Sequence, residues 1–133
     1  MKRIFSASII IVIILYVAWC FMPMIWEVIY DYETLGGLQW NGFGSKIDMG
    51  GAFPYIAGFL YLVSAAGLFF YQNWARSLFL MLTIFGVLIM PFLGMVAIGG
   101  YDAMVCNLMA VMNGVILAMA YLTSLSSEFG QNA

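Results

Sequence analysis

The fold is decided by residues 4–26, which read IFSASIIIVIILYVAWCFMPMIW and contain no charged side chain. At 1.5 Å per residue, a helix of this length rises roughly 35 Å, enough to cross a hydrocarbon core of about 30 Å. A charged side chain at the bilayer centre costs at least about 2.5 kcal/mol, so such runs mark spans and charges mark loops. Three further charge-free apolar runs follow at 54–71, 78–98 and 104–125.

The composition of the chain agrees with several spans. Of its 133 residues, 65% are hydrophobic and 8% are charged, far from the values of a soluble domain. The sequence therefore predicts an all-α membrane protein, a single domain over residues 1–133 formed by an antiparallel bundle of four transmembrane helices. Because the connections at 72–77 and 99–103 are short, we expect spans two to four to pack as consecutive neighbours, with span one docked beside them.

The basic residues predict the orientation in the bilayer. Lys2, Arg3 and Arg76 fall on the side of the two termini, and only Lys46 falls on the other side. Because cytoplasmic loops are enriched in lysine and arginine, we expect both termini to face the cytoplasm.

The loops on the outer side contain two local signals. In the long connection, Asn41-Gly42 stands between Trp40 and Phe43, which is typical of a type I′ turn and predicts a short hairpin. Its aromatic residues, together with Trp26 and Tyr30 at the end of span one, are expected to anchor in the outer membrane interface. Asp102 directly precedes the fourth span and is predicted to be its N-cap.

Three acidic residues follow span one closely; they are Glu27, Asp31 and Glu33. If span one continued as a helix, acids at its C-terminus would be disfavoured by the helix dipole and by their mutual repulsion. Either the helix ends near Trp26 and the acids lie in a solvated loop, or a positive group compensates. Lys46, a divalent cation and a basic partner are the candidates for such a group.

Span four carries a stripe of small residues. Ala110, Gly114 and Ala118 recur every four residues, so they share a helix face that a neighbouring backbone can approach closely. Asn107 lies on about the same face and could hydrogen-bond across the contact for about 0.6–2 kcal/mol. The stripe predicts either packing within the subunit or a contact with a second copy or a partner helix. Asn113 points elsewhere and needs another partner.

Two prolines lie within predicted spans, and each predicts a helix kink. Pro23 lies near the outer end of span one, whereas Pro91 is central in span three. Pro91 frees the carbonyl of Val87, and unpaired carbonyls of broken helices form the midplane ion sites of transporters. Neighbouring helices also satisfy such kinks, so a structural kink and an ion site are the two interpretations.

The chain lacks the residues of most membrane enzymes and pumps. It has no histidine, which removes the commonest general base and most zinc sites. No carboxylate lies within a span, whereas a proton-coupled exporter needs a protonatable group in the membrane. Nucleophile and phosphate motifs are absent as well. The sequence therefore predicts no enzyme, no metal and no cofactor, and the low isoelectric point, about 4.6, predicts no nucleic-acid partner.

Sulfur-containing residues lie in the outer halves of spans one and four. Cys20 and Cys106 form no CxxC motif, and several methionines stand near each of them. Three interpretations remain open for this sulfur group, namely a Cu(I) site, a disulfide and buried reduced thiols.

One family resemblance rests on the order of motifs from Gly50 to Phe129. A Gly-Gly-aromatic segment at 50–55 is followed by Ser64-Ala65, by Trp74-Ala75-Arg76 and by Gly99-Gly100-Tyr101-Asp102. This order resembles the N-terminal membrane anchor of quinoprotein glucose dehydrogenases, and it is similar to small uncharacterised bacterial four-helix inner-membrane proteins. The resemblance implies a bundle in a bacterial inner membrane and carries no catalytic residue.

Three functions from different classes fit these residues. The first is a non-enzymatic scaffold, accessory subunit or immunity-type partner, acting through helix packing and the acidic, aromatic outer loop. The second is an oligomeric channel or small-solute transporter built around Pro91, Asn107 and Asn113. The third, an enzyme using the outer carboxylates, lacks a nucleophile with a matched base.

Overall fold

The structure is a computed structural model that describes residues 1–47 and 51–130, and every regular element within them is helical. No strand occurs among these residues. The long helices are α1 (Lys2–Ile29), α3 (Phe53–Phe69), α4 (Asn73–Ile89) and α5 (Gly100–Leu122), and α2 (Tyr32–Leu38) is short. Single 3-10 segments follow α4 and α5, at Met90–Phe92 and Ser124–Gly130.

Three segments are long and apolar enough to cross a membrane, namely Lys2–Ile29, Asn73–Phe92 and Gly100–Leu122. Their length and composition identify a membrane protein, as the sequence predicts. The fourth apolar helix, α3, has 17 residues and rises roughly 26 Å, somewhat less than the hydrocarbon thickness of about 30 Å.

The long helices place two sets of residues at opposite ends. At the terminal end, Lys2 Nζ lies 2.9 Å from Glu128 Oε1, and Tyr71 in the α3–α4 turn packs its ring 5.5 Å from that of Phe129. At the loop end, residues 30–47 meet residues 92–102, for instance through the 2.7 Å hydrogen bond from Gly42 N–H to the Met95 carbonyl. These two regions are the terminal end and the loop end of the molecule.

The buried core lies toward the terminal end. It comprises Phe5, Ile9, Val12, Ala65, Leu68, Ala75, Phe79, Ile116, Ala120, Leu125 and Phe129. In it α1 packs most extensively against α5, α3 packs against α4, and α1 also contacts α3, whereas α4 and α5 touch only at a few positions. The first span is therefore a central packing partner and is not simply docked beside the other three.

The α3–α4 turn is tight because two backbone hydrogen bonds close the C-terminus of α3. Tyr71 adopts a left-handed conformation with φ 55°, and its N–H bonds the Leu68 carbonyl at 3.0 Å. The next N–H, of Gln72, reaches back to the Gly67 carbonyl at 3.0 Å. These two bonds form a Schellman motif, which closes α3 and lets α4 begin at Asn73.

The predicted start and end of the third span are both wrong. Predicted at 78–98, the helix begins at Asn73 and ends at Ile89, and Pro91 lies in the 3-10 turn that follows. Pro91 therefore terminates the helix and does not kink its centre. The carbonyl of Val87, predicted to be free, accepts the N–H of Met90. Proline cannot donate to the helix ladder, and this chain uses that property as a stop signal.

Candidate functional site

The most specific arrangement of polar side chains lies at the loop end around Asp102. This residue is in the first turn of α5 and has only 4% of its surface exposed. Trp26 Nε1 donates to both of its carboxylate oxygens, at 3.2 and 3.1 Å, and the Tyr30 hydroxyl donates to Oδ2 at 2.6 Å. Burying a carboxylate costs free energy unless the carboxylate is hydrogen-bonded, so these two donors stabilise Asp102 in its buried position.

The predicted N-cap role of Asp102 is wrong, because Gly99 occupies the cap position. The Tyr30 hydroxyl satisfies two of the free N–H groups of the helix, accepting from Tyr101 N–H at 3.0 Å and from Asp102 N–H at 3.1 Å. A Cβ on Gly99 would overlap the Tyr30 ring, so glycine at the cap admits this tyrosine. Burial is the main cause of a raised pKa for Tyr30, and the hydrogen bond to Asp102 raises this pKa further. The hydroxyl therefore keeps the proton that it donates to Asp102.

The sequence predicts membrane anchoring for Trp26 and Tyr30 and does not predict their contact with Asp102. A signal was nevertheless present. Trp26 and Tyr30 are four residues apart at the end of the predicted first span, and Asp102 precedes the predicted fourth span, whose start is expected on the same side of the membrane. Residues spaced by four share a helix face, so this pair could have been tested as donors to the nearest carboxylate.

A partly enclosed cavity of about 310 Å³ adjoins this cluster. Trp19 and Trp26 contribute aromatic wall, Leu38 and Leu93 contribute aliphatic wall, and the polar side chains are those of Asp102 and Asn41. The cavity therefore lies between the end of α1, the loop after α2, the segment after α4 and the first turn of α5. Such mostly apolar hollows with a few convergent polar groups are typical of small-molecule sites.

Backbone hydrogen bonds between two irregular segments build one side of the cavity. Met95 N–H donates to the Phe43 carbonyl at 2.9 Å, and Lys46 N–H donates to the Phe92 carbonyl at 3.0 Å. Gly94 lies between Phe92 and Met95, the two residues that make these bonds, and has φ +73°. A Cβ on Gly94 would collide with backbone atoms of Phe43 and Ser45. Only glycine allows this conformation and this approach at low cost.

The predicted hairpin at Asn41-Gly42 is wrong. A type I′ turn needs positive φ at both central residues, and only Gly42, at +82°, has it. The segment instead forms consecutive turns, and Asn41 Oδ1 accepts the N–H of Ala97 at 3.2 Å. The turns around Asn41 thus pack against the segment after α4 and do not form the strand pairing that the Asn-Gly pattern predicts. Residues 48–50 of the same loop lie outside the described residues.

Among the described residues of the loop end, the acidic side chains of Glu27, Asp31 and Glu33 do not converge on one site. Glu27 lies in the last turn of α1, which continues to Ile29, so the predicted end near Trp26 is three residues early. Asp31 caps the separate helix α2 by accepting the Thr34 N–H at 3.1 Å, and hydrogen bonds from Thr34 lower its pKa. Glu33 lies in the first turn of α2, where the dipole favours it. Among the described residues, no group of three His, Cys, Asp or Glu side chains could hold a metal ion.

The small-residue stripe of α5 faces away from the rest of the molecule. Asn107, Ala110, Gly114 and Ala118 are all exposed, whereas the buried residues of α5 include Asp102, Val105, Ile116 and Ala120. A Cβ on Gly114 would meet no atom within 4 Å. The interpretation of the stripe as packing within the subunit is therefore wrong for this chain.

The remaining candidate residues from the sequence, an asparagine, a proline and two cysteines, lie apart from the Asp102 cluster. Asn113, which needed a partner, accepts a 2.7 Å hydrogen bond from the Tyr61 hydroxyl of α3. Pro23 lies inside α1, and its predicted kink remains a prediction. Cys20 and Cys106 are free thiols, so the disulfide interpretation does not apply in this structure.

Arg76 is a charged residue in the first turn of α4, at the terminal end, and several groups contact its guanidinium. Its guanidinium lies 4.7 Å from the Tyr121 ring centre and 5.3 Å from that of Phe129, and it donates to the Ala120 carbonyl at 3.4 Å and to Asn73 Oδ1 at 2.9 Å. Aromatic rings and a helix-terminal carbonyl thus stabilise this cation.

Comparisons with family models, curated proteins and solved structures give no match.

Proposed function

We propose that this chain is a non-enzymatic interaction protein of the bacterial inner membrane that binds another transmembrane helix through the stripe of α5. The observation that carries the proposal is the exposure of Asn107, Ala110, Gly114 and Ala118 on the helix face opposite the buried one. Small residues at this spacing let two helix backbones approach closely, which is the main source of helix association in lipid.

The membrane topology is part of the same proposal. We infer four transmembrane helices in an antiparallel bundle, with α3 as the shortest span, and both termini in the cytoplasm. The support is the distribution of charge: Lys2 and Arg76 lie at the terminal end, whereas Glu27, Asp31 and Glu33 are exposed at the loop end. Lysine and arginine are enriched on the cytoplasmic side of membrane proteins.

A second copy of this chain is the occupant that the stripe fits best. Copies inserted with the same orientation bring their α5 helices together in parallel, so that Asn107 of each copy lies at the same depth. An amide both donates and accepts, so two Asn107 side chains are complementary to each other. Asn107 is exposed in an apolar helix, and a hydrogen bond across the contact would satisfy a group that lipid cannot. A symmetric dimer can then serve as a scaffold.

The proposal is tested with two copies of the chain that carry different affinity tags and are expressed together. We expect one tag to recover both copies from wild-type membranes, and we expect Gly114→Leu to abolish the recovery by filling the stripe. Gly86→Leu in α4 is the matched control, because a Cβ at Gly86 also meets no atom within 4 Å but lies outside the stripe. Recovery that persists in Gly114→Leu would refute the stripe as the interface. Recovery of a stoichiometric foreign protein in place of the second copy would replace the dimer with an accessory or immunity-type partner.

The alternative of an oligomeric channel receives less support from the geometry. Its three residues are separated, because Pro91 lies in the turn after α4, Asn113 bonds Tyr61 and Asn107 is exposed on α5. A pore would need these groups to line one passage.

A further inference from the structure

The cavity at the loop end combines a buried carboxylate with aromatic and aliphatic walls. Its volume of about 310 Å³ suits a small organic molecule better than a single ion or water. Among its described lining residues only Asp102 is charged, and Trp19 and Trp26 form part of the wall. We infer that this cavity binds an amphipathic amine in its ammonium form, with the nitrogen at Asp102 and the apolar body against the tryptophans.

The carboxylate of Asp102 has capacity for a further hydrogen bond. Its described partners, Trp26 Nε1 and the Tyr30 hydroxyl, are both neutral donors, and no described lining residue is basic. A carboxylate offers about four lone-pair positions, so an ammonium N–H can join these two donors. A charge-assisted bond of this kind is roughly twice as strong as a neutral one.

The walls favour an organic cation over an inorganic one. Trp19, Leu38 and Leu93 line the cavity with apolar surface, which contacts the apolar body of an organic cation and offers no ligand to an inorganic one. Hard inorganic cations require a shell of six or more oxygen ligands, which a wall of this composition does not provide.

The charge of the loop end favours the arrival of cations. Glu27, Asp31 and Glu33 are exposed there, and Lys46 is the only basic residue among the described residues of the connecting loop. A surface of one predominant sign raises the local concentration of oppositely charged ligands and their association rate.

An ammonium group can come from a soluble amine or from the headgroup of phosphatidylethanolamine, and the experiment separates the two sources. The full-length protein is titrated with phenylbutylammonium in dodecyl maltoside micelles, which contain no amine, and binding is followed by calorimetry against empty micelles. We expect saturable binding that is at least about tenfold tighter than that of phenylbutanol, the neutral analogue of similar shape. The titration is repeated with phosphatidylethanolamine added to the micelles. A fall in apparent affinity identifies the lipid headgroup as a source, and an unchanged affinity identifies a soluble amine.

Three variants locate the site. Asp102→Asn keeps the shape and an acceptor oxygen for Trp26 and Tyr30, and it should weaken binding of phenylbutylammonium by at least about tenfold. Glu128→Gln is the matched control, because Glu128 lies beside Lys2 at the terminal end, away from this cavity and from the acidic surface, and should leave binding unchanged. Ala97→Phe fills the cavity from its wall while keeping Asp102, and it should abolish binding. This third variant keeps the test decisive if Asp102→Asn fails to fold.

Equal affinity for phenylbutylammonium and phenylbutanol would overturn the inference, since it would make the interaction purely apolar. Unchanged binding in folded Ala97→Phe would also overturn it, because the ligand would then lie elsewhere. Neither result bears on the pairing of α5 helices, which uses a different face of that helix.

Discussion

Replacing Tyr30 by phenylalanine tests the cluster that joins the end of α1 to the start of α5. The substitution removes one hydrogen bond to the Asp102 carboxylate, at 2.6 Å, and the acceptor of two helix N–H groups, at 3.0 and 3.1 Å. A hydrogen bond to a charged group contributes about 1.5–3 kcal/mol, and loss of a helix cap costs about 0.5–2 kcal/mol. Because Tyr30 is only partly buried, water replaces some of these bonds. We therefore expect Tyr30→Phe to lower the free energy of unfolding by about 2–3 kcal/mol.

The assay is reversible unfolding in mixed micelles of dodecyl maltoside and dodecyl sulfate, followed by tryptophan fluorescence and circular dichroism. Tyr32→Phe is the matched control, since Tyr32 lies two residues away on α2 and is 89% exposed. Its hydroxyl should contribute less than about 0.5 kcal/mol. Equal free energies of unfolding for Tyr30→Phe and Tyr32→Phe would refute the role of the Tyr30 hydroxyl as a cap and donor.

The other predictions concern pH, backbone strain, a buried polar pair and topology. The pKa of Tyr30 is raised above its ordinary value of 10.0, so the stabilisation by its hydroxyl should be complete below about pH 10 and be lost as the pH rises further. The free energies of unfolding of wild type and Tyr30→Phe, compared as a function of pH, measure this effect. Gly94→Ala should cost at least about 1–3 kcal/mol in the same unfolding assay, because φ is +73° and the Cβ meets the Phe43 backbone. Tyr61→Phe should cost about 0.6–1.7 kcal/mol through the lost bond to Asn113, and a double variant with Asn113→Ala should show the coupling. Alkaline phosphatase fused after the last residue should be inactive, whereas activity would reverse the proposed orientation.

The sequence was sufficient for the helical class and for the approximate position of each apolar segment. The predicted runs at 4–26, 54–71 and 104–125 correspond to α1, α3 and α5 with displaced ends. Several displacements have one physical cause, because the prediction treated every charge as a loop marker. Lys2, Glu27 and Arg76 lie in the terminal turns of helices, where a long side chain can reach the interface or an aromatic partner.

The candidate site was harder to predict because it depends on contacts between distant segments. The Trp26–Asp102 and Tyr30–Asp102 hydrogen bonds join residues more than 70 positions apart. The segment after α4 is irregular because Pro91 ends that helix and Gly94 turns it onto the loop near Phe43. An apolar pattern cannot distinguish such a segment from the end of a span. Conversely, the stripe of α5 was visible in the sequence, but its exposure follows only from which face of α5 packs against α1.

Cysteine cross-linking in native membranes tests the pairing of α5 helices most directly. In a chain carrying Cys20→Ser and Cys106→Ser, the substitution Ala110→Cys places one thiol in the stripe, and Leu88→Cys places one at an exposed position of α4. The account predicts a covalent dimer of twice the subunit mass for Ala110→Cys and none for Leu88→Cys. A monomer in both cases, or equal dimer yields at the two positions, would contradict it.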